Sequence, residues 1–139
     1  MSSYNPPLES GDPEAFLLMD FNESPLPPPP RVIQKISEFL NSHVHLYPTY
    51  GDFLEELGNY SGVPAENLLL TNGSDQAIDI IMRSLLECGE EAAMVQPGFQ
   101  MYDQTVSTLG CKLSGPQFPA DFNFPHQKLK ESVNTKTRL

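Results

Sequence analysis

The segment Leu68-Leu69-Leu70-Thr71-Asn72-Gly73-Ser74-Asp75-Gln76-Ala77-Ile78-Asp79 holds the residues best suited to chemistry. An apolar run of strand type ends in a Gly-Ser-Asp turn, and an apolar-periodic helix starts there. The first turn of a helix leaves backbone N–H groups without intrahelical partners, and the aligned peptide dipoles add partial positive charge at the same point. Gly73, Ser74 and Asp75 are therefore candidates to hold an anion such as phosphate. Asp75 carries the anion's own sign, so its side chain is expected to cap the helix or turn away. The plainer reading, an Asn-Gly turn followed by an N-cap, uses the same residues.

Other groups draw less from their own surroundings. Phe99, in Pro97-Gly98-Phe99, stands at a helix start, and its face could stack on an electron-poor ring or fill a core. Tyr102 lies one turn further along that helix. Tyr47, in Tyr47-Pro48, sits in a loop, and Asn22, in Asn22-Glu23-Ser24-Pro25, sits in a turn. His43 and His45 are two apart, but no third or fourth ligand follows at a fitting spacing, so exposed loop histidines are expected and no metal. Cys88 and Cys111 match neither a metal spacing nor a dense disulfide framework, and buried free thiols are expected.

The elements that must position these groups change character along the chain. Residues 1–15 read as a flexible arm, and Phe16–Phe21 as a short extended apolar segment. Pro27 to Pro30 keep the chain extended until a helix in which Val32, Ile33, Ile36, Phe39 and Leu40 recur at helical spacing. A loop over His43–Gly51 leads to a second helix, Asp52–Tyr60, which Gly62 and Pro64 end. From there strand and helix alternate: strand Leu68–Thr71, helix Asp75–Leu86, strand Ala92–Gln96, helix Gln100–Leu109, a strand opening at Lys112–Leu113, a weak helix Pro125–Val133, and the first half of a strand at Thr135–Leu139. Such alternation predicts an α/β fold with a parallel sheet and crossover helices. Ligands of such sheets sit at the carboxyl ends of strands, where both Asn72-Gly73-Ser74-Asp75 and Pro97-Gly98-Phe99 fall. The boundary between the irregular and regular parts is placed at 1–66 and 67–139.

The 139 residues are enough for one domain, and 39 % of them are hydrophobic. A formal net charge of −10 argues against nucleic acid and anionic membrane surfaces as partners, since both reward Lys and Arg. The start shows no basic stretch followed by an apolar one, and no run is long enough to span a bilayer, so a cytoplasmic protein is expected.

The order Asp20-Phe21-Asn22-Glu23-Ser24-Pro25, Tyr47-Pro48, Asn72-Gly73-Ser74-Asp75 and Pro97-Gly98-Phe99-Gln100-Met101-Tyr102 resembles the N-terminal part of histidinol-phosphate aminotransferases, fold-type I enzymes dependent on pyridoxal 5′-phosphate (PLP). The resemblance runs from about residue 16 to the end and implies part of the PLP-dependent transferase large domain, with residues 1–66 as arm and dimer-contact segment. It implies that Gly73, Ser74 and Asp75 form the cup for the cofactor phosphate and that Phe99 stacks on the pyridine ring. Tyr102 would line the same site or pack beneath it. Tyr47 would reach the cofactor phosphate of the partner subunit of a homodimer, and Asn22 would lie near the substrate. The activity implied is amino-group exchange between glutamate or 2-oxoglutarate and histidinol phosphate or imidazole-acetol phosphate, in histidine biosynthesis.

In that family the Schiff-base lysine, the aspartate at the pyridine nitrogen and the substrate-binding arginine lie C-terminal to the stretch that these residues resemble. Lys35, Lys112, Lys128, Lys130 and Lys136 do not stand in the family's lysine context. No catalytic residue is therefore assigned, and the 139 residues are expected to be an incomplete piece that is inactive alone. Three other readings stay open: a PLP-dependent phosphothreonine decarboxylase with the same N-terminal pattern, another amino-acid aminotransferase of this fold, and a non-catalytic truncated binding module. A flavodoxin-like module fits the Pro-rich first third poorly.

Overall fold

The computed structural model describes Leu17, Met19 and residues 21–139; the arm read at 1–15 and most of Phe16–Phe21 lie outside the described residues. The chain divides between Leu69 and Leu70 into two compact units.

The first unit is built on two helices. Helix α1 runs over Pro30–His43, with Pro29 at its N-cap and Pro30 at its first position, where a missing N–H costs nothing. It outlasts the expected Val32–Leu40 because Asn41, Ser42 and His43 continue the helix without adding to its apolar stripe; Ser42 Oγ donates to Glu38 O at 2.9 Å. Helix α2 spans Gly51–Ser61 and ends where Gly62 N donates to Gly58 O at 2.9 Å. A short 3-10 turn over Ala65–Asn67 follows. Neither helix has a buried residue, and Val32, Ile33, Ile36, Phe39 and Leu40 stay about half exposed.

The second unit carries the core. Helix α3, Gly73–Leu85, leads to strand β1, Glu91–Ala93; helix α4, Gln100–Thr108, leads to strand β2, Lys112–Ser114; helix α5, His126–Ser132, follows. The strands are parallel, with Glu91 opposite Lys112, Ala92 opposite Leu113 and Ala93 opposite Ser114. Pairing resumes at a bridge between Gln96 and Gln117. On the other side of β1, Glu91 bridges Thr137 in parallel, and Ala93 N donates to Leu139 O at 2.7 Å. The terminal segment read as half a strand thus lines up beside β1, which becomes the middle of the ladder. At Gly115, φ is +142° and a Cβ would lie 2.0 Å from Met94 O, so the two chain segments approach this closely only through glycine.

Ile78 and Met82, four residues apart, turn one face of α3 inward, and with Leu86, the extended residue that ends the helix, they pack against Ala92 of β1 and Val106 of α4. Met101, Tyr102, Leu109, Cys111 and Leu113 pack around this cluster. Burying each large apolar side chain stabilises by about 1.5–3 kcal/mol. The crossover expectation of helices on a parallel sheet is met.

One expected element is corrected. Leu68–Thr71 is not a strand: Leu68 is extended, at φ −106° and ψ 132°, but the segment joins no ladder among the described residues. Apolar composition favours an extended backbone, whereas a strand also requires a neighbour whose N–H and C=O groups face it. Among the described residues no helix is long and apolar enough to cross a membrane.

Candidate functional site

The start of α3 is shaped by its backbone. Thr71 Oγ1 donates to Gly73 O at 3.0 Å and Gly73 N donates to Thr71 O at 2.9 Å, which folds the loop tightly just before the helix. Gly73 sits at φ +76°, the left-handed region, with nothing within 4 Å of where a Cβ would be. A side chain there would meet backbone strain and no neighbour. The helix begins at Gly73, two residues ahead of the expected Asp75, because glycine makes the turn and the first helical residue one and the same.

No side chain caps this end. Asn72 is the N-cap residue, yet its side chain makes no capping bond, and of the two expectations for Asp75, a cap or a side chain turned away, the cap is not formed. The Asn72 N–H instead donates to Gln76 Oε1, a bond that sequence reading missed. Its signal was the Asn72…Gln76 spacing, one residue longer than the usual capping box. With Gly73 N bonded to Thr71 O, the amides of Ser74 and Asp75 are those left at the helix start, among the described residues, for an outside acceptor. Gly73, Ser74 and Asp75 are all exposed.

Phe99 follows the carboxyl end of β1. The Gln96–Pro97 peptide is cis, Gly98 lies against the Met94 side chain, and Phe99 forms the N-cap of α4 at φ −70° and ψ 125°. Its ring is 49 % exposed and meets Tyr102 edge-on, with centroids 6.4 Å apart and planes at 82°. Tyr102 also packs on the Ile78–Met82–Val106 cluster, which α3 and α4 share. Phe99 is thus half exposed and in contact with Tyr102 at the start of a helix that packs against the helix carrying Gly73–Asp75.

Tyr47 and Asn22 belong to the first unit. Tyr47 is 99 % exposed in the stretch between α1 and α2. Asn22 is exposed and takes the left-handed conformation, φ +54°, in a bend region where Leu26 N donates to Ser24 Oγ at 3.2 Å. His43 closes α1 and stacks on Phe39 at 5.4 Å. No group of three or more His, Cys, Asp or Glu among the described residues could hold a metal.

The lysines lie elsewhere on the scaffold. Lys112 opens β2, at the strand's amino end, and reaches Glu91 at 3.6 Å; Lys35 pairs with Glu38 on α1; Lys128 and Lys130 lie on α5. At the amino end of β1, Glu90 accepts from Arg138 Nε at 2.6 Å and from Glu87 N at 2.9 Å, and these bonds hold its carboxyl below the usual carboxylate range. Asn134 Nδ2, donating at 2.9 Å, and to a lesser degree Lys112 do the same for Glu91.

The sequence profile described as "Aminotransferase class I and II" matches residues 15–138. Among curated proteins, the chain is 30 % identical over 118 residues to a histidinol-phosphate aminotransferase of Caldanaerobacter subterraneus subsp. tengcongensis, covering 83 % of this chain and 34 % of the relative. It is 35 % identical over 109 residues to that of Thermoanaerobacter sp. (strain X514), covering 76 % and 31 %. The chain spans about a third of the length of these relatives. Among solved structures, the histidinol-phosphate aminotransferase of Sinorhizobium meliloti in complex with pyridoxal-5′-phosphate superposes with a TM-score of 0.75 at 21 % identity, over 84 % of this chain and 32 % of that one. An aspartate aminotransferase from Thermotoga maritima gives 0.69 at 19 % identity, over 84 % and 34 %. The α/β fold is thus that of part of an aminotransferase.

Proposed function

The chain belongs to the class I and II aminotransferase family, and from that premise we propose that it forms the phosphate-holding, ring-stacking part of a PLP-dependent transaminase. The observation that carries the proposal is the start of α3 at Gly73, without a side-chain cap, on a helix packed against α4, whose N-cap residue is Phe99. A phosphate dianion matches that donor set: amide N–H groups and a helix dipole of the right sign, at a turn with room in front of Gly73. Charge-assisted bonds of this kind are shorter and stronger than neutral ones.

In this reading Gly73 supplies the turn, Ser74 and Asp75 supply amides to the phosphate, and the Ser74 hydroxyl adds a donor. The Asp75 carboxylate keeps away from the anion. Phe99, half exposed, stacks on the pyridine ring, and Tyr102, in T-shaped contact with it, helps to hold its orientation. Bound there, PLP would supply the electron sink that amino-group exchange needs. Tyr47, 99 % exposed, is read as reaching across a homodimer interface to the partner's phosphate, and Asn22 as lying on the substrate side. Residues 67–139 are read as the first part of the cofactor-binding large domain and residues 1–66 as the arm and dimer-contact segment. The substrate pair proposed for the whole enzyme is histidinol phosphate and 2-oxoglutarate, as the names of the curated relatives suggest. No lysine of this chain lies on the α3 or α4 starts, so these residues by themselves are expected to bind without transferring an amino group.

The test is to titrate the chain with PLP and with pyridoxal, which lacks the phosphate, following ring absorbance and Tyr fluorescence. PLP should bind, and pyridoxal should bind far more weakly. Ser74→Ala should lower PLP affinity by about 10- to 100-fold, as for a hydrogen bond to a charged group. Equal affinity for the two ligands, unaffected by Ser74→Ala, would remove the phosphate cup from the account.

A further inference from the structure

The two thiols lie far apart in sequence but side by side in the fold. Cys88 sits at a corner of the turn Glu87–Glu90 that enters β1, closed by Glu90 N donating to Glu87 O at 3.0 Å. Cys111 stands just before β2, after the turn that ends α4. Two backbone bonds hold these entry segments together: Gly89 N donates to Gly110 O at 3.1 Å and Lys112 N to Glu90 O at 3.0 Å.

Their side chains cross. Cys111 Sγ donates to Glu87 O at 3.0 Å, and Glu87 is the residue before Cys88. Cys88 Sγ approaches Gly110 O at 3.7 Å, and Gly110 is the residue before Cys111. Only the missing side chain at Gly110 lets the sulfur lie there: a Cβ at that position would fall 2.9 Å from Cys88 Sγ and 3.9 Å from Cys88 Cβ.

We infer that Cys88 and Cys111 are a reversible dithiol–disulfide pair that staples the segment entering β1 to the segment entering β2. Closing the bond asks the Cys88 side chain to turn from Gly110 toward Cys111. It orphans nothing: when Cys111 gives up its proton, Glu87 O still accepts from Glu90 N, and Gly110 O still accepts from Gly89 N. The oxidant is a low-molecular-weight disulfide of the glutathione class. Exposed Cys88, as thiolate, attacks one of its sulfurs; its S–S bond breaks, one small thiol leaves, and a mixed disulfide stands on Cys88. The Cys111 thiolate then attacks Cys88 Sγ, the second small thiol leaves, and the Cys88–Cys111 bond forms. The protein loses two protons and two electrons, and the small disulfide takes them up as two thiols. The staple lies beyond the C-terminal ends of α3 and α4, so it can form whether or not their N-terminal ends bind phosphate.

The experiment incubates the full chain with oxidised glutathione, traps remaining thiols with a maleimide and reads intact mass and peptide map, folded and in denaturant. Both thiols should vanish together in the folded chain, with no glutathione retained, a joined Cys88–Cys111 peptide and full recovery on reduction. Closure should be slower in denaturant, and the closed form should unfold at higher denaturant than the open one. Cys111→Ser should stop at one glutathione on Cys88. A wild-type chain that keeps glutathione on Cys88 beside a free Cys111, that links to a second chain, that leaves both thiols free, or that closes no faster folded than unfolded overturns the inference.

Discussion

Residues 70–139 and the described part of residues 17–69 treat apolar side chains in opposite ways. In the second unit Ile78 and Met82 of α3 and Leu86 just after it form a cluster with Ala92 and Val106, and Met82 is 2 % exposed. In the first, α1 has an apolar stripe of equal regularity, yet Ile36 at its centre is 50 % exposed and nothing in the helix is buried. Amphipathic spacing therefore says which face a helix would bury and not whether a cover exists within its own unit. In the second unit the cover comes from elements close in sequence, because a parallel strand and its crossover helix pack back on one another. That is also the unit that contains the proposed phosphate-binding helix start at Gly73.

The largest test of this contrast is a pair of truncations. Met82→Ala should cost about 2–5 kcal/mol, the range for emptying a core position. Ile36→Ala should cost under about 1 kcal/mol, near the range of surface changes. Urea denaturation of both variants under the same conditions measures the two together. Similar losses would mean that α1 packs as tightly as α3 and would break the comparison.

A second test separates two glycines within the second unit. Gly73→Ala meets only backbone strain, because no atom lies within 4 Å, and should cost about 1–2 kcal/mol, the penalty of the left-handed region. Gly115→Ala meets the Met94 carbonyl at 2.0 Å as well and should cost more. The midpoints of unfolding order the two, and a reversed order would say that the approach of Gly115 to Met94 does not hold the second unit together. Gly73→Ala should also loosen the helix start, so its PLP titration should weaken alongside Ser74→Ala.

What the sequence made legible follows the same division. Helices α1 to α4 were visible because their periodicity is local, and the parallel order of β1 and β2 because a helix between strands leaves few other topologies. The ends were less visible. The start of α3 depends on the φ of Gly73, and the length of α1 on polar residues without a period. Leu68–Thr71 was misread because strand character depends on a neighbour, which composition does not encode. At the candidate site, the Gly73-Ser74-Asp75 turn and Phe99 could be located from their place after apolar runs. The Gln76 bond to Asn72 and the edge-on seat of Phe99 on Tyr102 required three dimensions. Tyr47 and Asn22 are surface residues of the first unit, and among the described residues no hydrogen bond of theirs marks a role.

The smallest test uses the charges that tie the second unit's end to its middle. Arg138 Nε donates to Glu90 at 2.6 Å across 48 positions of sequence, and Asn134 donates to Glu91 across 43. In the first unit the Lys35–Glu38 pair joins residues three apart on one helix and closes no such loop. Both Glu90 and Glu91 titrate below their ordinary value when folded, through Arg138 and Glu87 N in the first case and chiefly Asn134 in the second. A lowered folded value favours the ionised form in the native state. The stabilisation is therefore complete above the unfolded value, about 4.3, and is lost as pH falls through the folded values. Unfolding midpoints should be level from neutral pH to about 5 as far as these two groups are concerned, then drop. Glu90→Gln, which keeps an acceptor but cannot titrate, should flatten part of that drop, and added salt should shrink it because Arg138 is more than half exposed. Glu38→Gln should leave the acid limb where it was. If Glu38→Gln flattens the limb as much as Glu90→Gln does, the acid sensitivity does not come from the ties to the chain's last residues, and the electrostatic side of the contrast between the two units falls.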